Sequence, residues 1–310
     1  MKRFLFFMTF VLCTLQGNCD RYIRDGVVEI DGIAYWFTDD EVAEVTHHSP
    51  TWGKVYHWYK GDVIIPSTVT MGMRSYPVVA ISDHAFMGCT ALTSVTIPNS
   101  VKIIRDCAFY GCSNLTSIII PESVKIIGAG AFSLAGLSSI TIPNSVVSIG
   151  GSAFVDCDEL ISANINVTTI PDRTFQWCQK LKSLTIGESV CSIGTAAFYG
   201  CTNLKDVYCY SVDVPALMTD CFREVPLTDA TLHVPSESLE AYRNAEQWRY
   251  FFGNIIALTD EELDLVNITP DNVAPEIVAV YDINGCRQPN MQKGLNIVKY
   301  SNGNIKKVLK

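Results

Sequence analysis

A repeat of about 23 residues runs through the middle of the chain and constrains its fold more than any other feature. Each repeat places a phenylalanine, a leucine five or six residues later, and then an isoleucine or cysteine five residues further on. One unit of this length cannot bury its apolar residues alone, but stacked units can. The sequence therefore predicts a solenoid with one phenylalanine column, formed by Phe86, Phe109, Phe132, Phe154, Phe175, Phe198 and Phe222.

Each repeat is predicted to contain two short extended segments joined by a proline, which has no backbone N–H donor and ends a strand. In the first repeat these segments are residues 92–97 and 101–104. Stacked turns lie about 4.8 Å apart, so equivalent residues should form ladders. The fourth repeat has Asn166 in place of proline and Thr174 in place of alanine, which predicts a local irregularity.

The repeat motif Gly-Cys-x-x-Leu-x-x-Val/Ile-x-Ile-Pro-x-Ser-Val-x-x-Ile-x-x-x-Ala-Phe occurs at residues 88–109 and again at 111–132. It closely resembles the BspA-like leucine-rich repeats of bacterial surface proteins, over about residues 81–209. The resemblance implies a right-handed leucine-rich repeat solenoid with a concave sheet. It also implies export and the binding of proteins or glycans.

The flanking sequence predicts a cap at each end of the repeats, which we place at residues 81–225. Residues 20–80 form short alternating runs with a tight turn at Asp31-Gly32 and predict a β-rich N-terminal cap. Residues 226–258 resemble the strand and helix that close arrays of this family. Ser236 or Ser238 is the candidate helix cap, and the residues expected to cover the last turn are Leu239, Tyr242, Trp248 and Phe252.

Beyond the caps, an acidic linker at residues 259–272 precedes a small β-module at residues 273–310. The module contains an Asn-Gly turn and a basic end. It resembles the C-terminal sorting domain of type IX secretion, although it is shorter and has Asn296 where tyrosine is usual. The resemblance implies a role in export.

The N-terminus, residues 1–19, has the pattern of a secretory signal peptide, with Lys2 and Arg3 before an apolar run of about 12 residues. That run is too short to span a bilayer, and no later stretch is apolar enough to do so. Lipidation of Cys19 is an alternative to simple cleavage, but Gln16 stands where a lipobox normally has leucine. We expect a protein exported to the cell surface or the extracellular medium.

Charge and motif content argue against nucleic-acid binding and against catalysis. The net charge is −9, which gives no basic footprint for nucleic acid. The sequence contains no G-x-S-x-G, H-E-x-x-H or P-loop motif, and no cofactor is expected. His47, His48 and His57 lie close together in sequence, but their spacing fits no metal-ligand motif, so surface histidines are favoured over a metal site.

Five cysteines recur three residues after a column phenylalanine and should form an inward column of their own. An exported protein could join neighbours as disulfides. Stacked side chains point in parallel, however, and Ala135 fills the same position in another turn. Both observations favour buried thiols as small apolar residues at Cys89, Cys112, Cys157, Cys178 and Cys201.

The candidate binding surface is the outward face of the first extended segments, which we expect to form the concave sheet. Its hydroxyl-rich ladders end in Asp206 and Tyr208, and the tyrosine is a candidate aromatic anchor. The alternative is that serine and threonine simply suit solvated strands. The other predicted binding residues are Ser94, Thr96, Ser117, Ser139, Thr141, Ser162, Asn164, Ser183 and Thr185.

A second aromatic cluster in the N-terminal cap comprises Trp52, His57, Trp58 and Tyr59. It is predicted to be cap core rather than a site for stacking sugars.

Two main functional hypotheses follow from the sequence, beside a third, a hydrolase built on the solenoid scaffold, for which the sequence names no catalytic residues. The first is an exported leucine-rich repeat binding protein with adhesin-like recognition of a protein or glycan, host extracellular matrix included, and no catalytic activity. The second is a structural or assembly component of the cell envelope. Loss of binding on replacement of Tyr208 and Asp206 would favour the first. Multimeric association that is insensitive to those changes would favour the second.

Overall fold

The computed structural model describes residues 21–24, 26–47, 58–251, 254–259 and 262, together with four strands between residues 277 and 309. The chain divides into two units, Met1–Ala257 and Leu258–Lys310. The predictions for the signal peptide, Cys19, His48, Trp52, His57, Phe252 and most of the acidic linker lie outside the described residues.

The N-terminal cap is built from antiparallel strands, as the alternating sequence predicts. Residues Asp31 and Gly32 both have positive φ, 51° and 80°, and form the predicted hairpin turn. The fourth strand pairs in parallel with a long strand that also begins the solenoid. The strands are Arg21–Arg24, Val27–Ile30, Ile33–Phe37, Ala43–Thr46, Thr68–Met71 and Arg74–Ile81.

A partly buried ion pair links the cap to the first repeat. The guanidinium of Arg105 donates two hydrogen bonds to the Glu44 carboxylate, at 2.8 and 3.3 Å, and the Ser82 hydroxyl donates a third at 2.9 Å. Glu44 lies in the cap sheet and its side chain is only 9% exposed. The carboxylate is therefore desolvated and depends on these donors.

The first extended segment of most turns forms a parallel strand, and we call the outward side of these strands the long-strand face. Two of the strands pair with each other in a separate sheet, Gly61–Ile64 and Leu92–Thr96. Six more form a continuous sheet. These six are Ser139–Thr141, Ser162–Ile165, Ser183–Ile186, Asp206–Cys209, Thr231–Val234 and Ile255–Ala257.

The long-strand sheet is interrupted at residues 116–120, where the sequence predicts a further strand and the structure has none. The next turn is one residue shorter than its neighbours between Phe132 and Leu137. At this short corner Gly136 passes so close to Ser113 that a Cβ on the glycine would overlap the serine carbonyl. The expectation of one unbroken sheet is therefore wrong at the second repeat, and the interruption coincides with the shortened corner.

The second extended segments form ladders of two-residue parallel strands. The first ladder continues from Arg74–Ile81, and a second is separate from it. The separation falls in the fourth repeat, after Asn166, which confirms the irregularity predicted there. The ladder strands are Ile103–Ile104, Ile126–Ile127 and Ser148–Ile149, and then Thr169–Ile170, Ser192–Ile193 and Ala216–Leu217.

The phenylalanine column is confirmed as the centre of the core. Its seven rings stack in sequence, with neighbouring centroids 4.9 to 5.6 Å apart and planes within 12° of parallel. Tyr59 continues the column at its N-terminal end, 4.5 Å from Phe86. Trp248 and Phe251 close it against Phe222. Aromatic side chains from both caps thus cover the ends of the column.

The cysteine column consists of buried free thiols, as the sequence analysis favours. Four of them donate a hydrogen bond to the carbonyl of the column phenylalanine in the preceding turn, at 3.1 to 3.2 Å. Each side chain is small enough to fit and also satisfies a buried carbonyl. The four are Cys112, Cys157, Cys178 and Cys201.

The C-terminal cap is a short helix, Leu239–Asn244, flanked by the 3₁₀ turns Ser236–Ser238 and Trp248–Tyr250. Ser238 occupies the N-cap position, as one of the two predicted candidates, but its side chain bonds no helix N–H. The Ser238 hydroxyl donates to the Val212 carbonyl at 2.6 Å and so ties the helix to the array instead. Tyr242 and Trp248 are buried over the last turn, as predicted.

The second unit contains a four-stranded antiparallel sheet. Its strands are Ile277–Tyr281, Arg287–Gln288, Leu295–Tyr300 and Ile305–Leu309.

Candidate functional site

The predicted binding residues all point outward, and none of the eleven is buried. Within the six-stranded sheet the strand register aligns them in two rows. The first row runs Ser139, Ser162, Ser183, Asp206 and Thr231, and the second runs Thr141, Asn164, Thr185, Tyr208, His233 and Ile256. The structure therefore brings together eight of the predicted residues and adds Thr231, His233 and Ile256.

The remaining three predicted residues are separated from these rows. Ser94 and Thr96 lie in the two-stranded sheet, beside Asp62 and Ile64. Ser117 lies in the interrupted segment and belongs to no strand. The ladder expected along the whole array is thus continuous only from Ser139 onward.

At the N-terminal sheet the candidate residue Ser94 already has a partner within the chain. Its hydroxyl donates to Asp62 Oδ1 at 2.7 Å, and Thr93 donates to the same oxygen at 2.9 Å. These two hydrogen bonds lower the pKa of Asp62, because they stabilise the ionised carboxylate. This end of the long-strand face is a fixed polar cluster.

The C-terminal end of the two rows carries the aromatic and charged residues. The rings of Tyr208 and His233 stack with centroids 4.3 Å apart. His233 Nε2 lies 3.9 Å from Asp206 Oδ1, with the aspartate side chain 47% exposed and the histidine only 10% exposed. The half-buried tyrosine is therefore held against a nearly buried imidazole, with a carboxylate beside both. Such an arrangement can stack on a flat ligand surface and accept hydrogen bonds from it.

Sequence reasoning missed His233, although the signal was present. The segment Leu232-His233-Val234 lies in the closing strand predicted within residues 226–258, and its alternation matches Val207-Tyr208-Cys209 in the preceding turn. Because parallel strands of successive turns pair in register, aligning these two segments places His233 beside Tyr208.

The second aromatic cluster divides in the structure. Tyr59 is core, as predicted: its hydroxyl donates to the Thr46 carbonyl at 2.7 Å and accepts from the Ala34 amide at 3.0 Å. Trp58 is 52% exposed, so the core interpretation is wrong for this residue. Among the described residues no group of three His, Cys, Asp or Glu side chains could hold a metal ion.

The family model for the BspA-type leucine-rich repeat region matches residues 79–205 and 168–246, in six copies. The matched region covers more than half of the chain and coincides with the stacked turns described above. The chain belongs to the BspA-type leucine-rich repeat family.

Solved leucine-rich repeat structures also resemble this BspA-type protein. One from Bacteroides ovatus is 24% identical over 66% of this chain and 70% of its own, with a TM-score of 0.43. The T. pallidum leucine-rich repeat protein is 27% identical over 57% of this chain and 89% of its own, with a TM-score of 0.44. No curated protein matches the chain. In the described part of the BspA-type chain, no helix has the length and apolar character needed to cross a membrane.

Proposed function

We propose that this BspA-type protein is exported and acts as an adhesin-like recognition module at the cell surface, without catalysis. The observation that carries the proposal is the pair of outward rows on the long-strand face, which carry Asp206, Tyr208 and His233 near their C-terminal end. Export rests on the signal-peptide pattern of residues 1–19 and on the family. The C-terminal module is proposed to assist sorting.

The small polar residues of the rows and Tyr208 are expected to contribute differently to binding. The serine, threonine and asparagine side chains offer donors and acceptors at the spacing of the strands, which suits an extended glycan or protein segment. Serine is depleted at the centres of protein interfaces, whereas tyrosine is enriched. We therefore assign most of the binding free energy to Tyr208. The hydroxyl rows are assigned the role of fixing the position of the ligand along the strands.

The test is a glycan and host-matrix-protein array probed with the mature chain, residues 20–310, beside Tyr208→Ala. Truncation of an aromatic anchor should weaken binding by about thirty-fold, equivalent to ~2 kcal/mol. Tyr110→Ala is the matched control, because Tyr110 is a half-buried tyrosine elsewhere on the same array. The control should bind as the unaltered chain does.

Two results would contradict the proposal. Specific binding that Tyr208→Ala and Asp206→Ala both retain would exclude the long-strand face as the site. Absence of binding to every arrayed ligand, together with multimeric association in the envelope, would favour the second candidate, a structural or assembly component.

A further inference from the structure

A second ordered cluster lies on a different surface, at the corner that follows each column phenylalanine. The rings of Trp177 and Tyr199 meet edge to face with centroids 4.7 Å apart. The Tyr199 hydroxyl donates to Glu224 Oε1 at 2.7 Å, and the Arg223 guanidinium carbon lies 5.8 Å from the centre of the tyrosine ring. Three successive turns therefore contribute an indole, a phenol and charged groups to one surface.

The backbone at Trp177 adopts a conformation that favours glycine. Its φ is 63°, and the equivalent residue of three other turns is Gly88, Gly111 or Gly200, with φ between 67° and 77°. In the remaining three turns the equivalent residue is Leu134, Asp156 or Glu224, with φ between 54° and 65°. A left-handed backbone is unfavourable for a bulky side chain and free of that cost for glycine. Glycine and non-glycine residues thus both occupy this position, and Trp177 carries the largest of the side chains found there.

The indole is also held in a defined place. It lies over Gly200 of the next turn, where an added Cβ would overlap the indole atom Cε3. A side chain fixed before binding loses little conformational entropy when a partner docks. Trp177 is therefore a preorganised aromatic surface.

Carboxylates flank this aromatic pair on both sides. Asp156 occupies the same corner position one turn before Trp177, and Glu224 occupies it two turns after. Burial, and to a lesser degree the nearby Asp158, raises the pKa of Asp156, so a cation placed here would stabilise the ionised carboxylate. The neighbouring cation, Arg223, already lies 3.5 Å from Asp220. The charge left around the rings is negative.

We propose that Trp177 and Tyr199, with Asp156 and Glu224, form a second docking site that binds an arginine- or lysine-rich segment of a partner protein. Tryptophan and tyrosine are the aromatic residues that most often dominate protein interfaces. The face of an indole attracts a cationic side chain, and the flanking carboxylates pair with its neighbours. The site is independent of Tyr208 and the long-strand face.

The test is fluorescence anisotropy of a labelled peptide of alternating arginine and glycine, with a glutamate–glycine peptide as the probe of opposite charge. The protein is the mature chain, residues 20–310. Trp177→Gly should weaken binding of the arginine peptide by about ten-fold, and the substitution suits the left-handed backbone. The glutamate peptide should not bind.

Two matched pairs of variants distinguish a specific binding site from general effects of backbone strain and of net charge. Gly200→Ala displaces the indole, whereas Gly111→Ala imposes the same backbone change where the nearest atom is 3.6 Å away, so only the first should weaken binding. Asp156→Asn with Glu224→Gln should weaken binding more than Asp39→Asn with Asp40→Asn, although both pairs remove two charges.

Three results would overturn the proposal. The first is no binding of the arginine peptide at low ionic strength. The second is equal loss with both charge-neutralised pairs, which would indicate nonspecific attraction to an acidic protein. The third is binding of uncharged glycans that depends on Trp177 but not on Asp156 and Glu224, which would assign the surface to a sugar.

Discussion

The phenylalanine column and the outward rows are both repeated along the array, yet they differ in how strictly they repeat. The column keeps one residue type in seven consecutive turns, because each ring must stack on the next at about 5 Å. The outward rows carry small polar residues from Ser139 and Thr141 onward and change to Asp206, Tyr208 and His233 toward their C-terminal end. Packing fixes the interior, so departures on the exterior are the better guide to function.

The largest effect is expected when the column itself is broken. Phe154 is fully buried between Phe132 and Phe175, so Phe154→Ala should lower the free energy of unfolding by about 3–5 kcal/mol. Denaturant titration followed by circular dichroism measures the change. Thr141→Ala on the outward row should change stability by less than about 0.5 kcal/mol. Similar losses from the two variants would remove the distinction between column and row.

A smaller effect is expected at the ion pair that joins the cap to the repeats. Arg105→Ala leaves the nearly buried Glu44 carboxylate with Ser82 as its remaining side-chain donor, and should cost about 2–3 kcal/mol. Arg74→Ala breaks the Arg74–Glu41 pair, whose side chains are 70% and 73% exposed, and should cost under about 0.5 kcal/mol. Equal costs in thermal unfolding would show that the cap is not anchored through Glu44.

The smallest effect concerns the buried thiols and appears only at alkaline pH. Burial raises the pKa of Cys201 to about 12. Above the ordinary thiol pKa the unfolded chain therefore loses a proton that the folded chain keeps, and stability falls as pH rises. By about pH 10 the raised pKa of Cys201 should have lowered the free energy of unfolding by about 1.4 kcal/mol.

Comparison of Cys201→Ala with the exposed Cys191→Ala isolates this contribution. The difference in unfolding free energy between pH 8 and about pH 10 should shrink in the Cys201 variant alone. An unchanged pH dependence in both variants would show that the thiol does not titrate as proposed.

The sequence predicts the interior well because one period determines it. The spacing of Phe86, Phe109 and their successors predicts the stack, and the proline columns predict two strands per turn. The interrupted strand at residues 116–120 was not predicted. It coincides with a corner that is one residue shorter and with the close approach of Gly136 to Ser113, which is a contact between turns and not a pattern within one.

The candidate sites show the same limit. The rows leading to Tyr208 could be predicted from alternation, because strands in register align equivalent residues. Sequence reasoning missed the Trp177–Tyr199 pair. The contact between the two rings depends on the left-handed backbone at Trp177 and on the absence of a side chain at Gly200, over which the indole lies. Neither property is visible in hydrophobic periodicity.

The short corner at Ala135 has a mechanical consequence. The thiol that would reach back to the Phe109 carbonyl is absent there, and the adjoining segment, residues 116–120, forms no strand. A stack in which each turn holds only its neighbours yields at its weakest junction. Under tension along the array, the turns should part first beside this corner, leaving the six-stranded sheet and the rows that include Tyr208 intact.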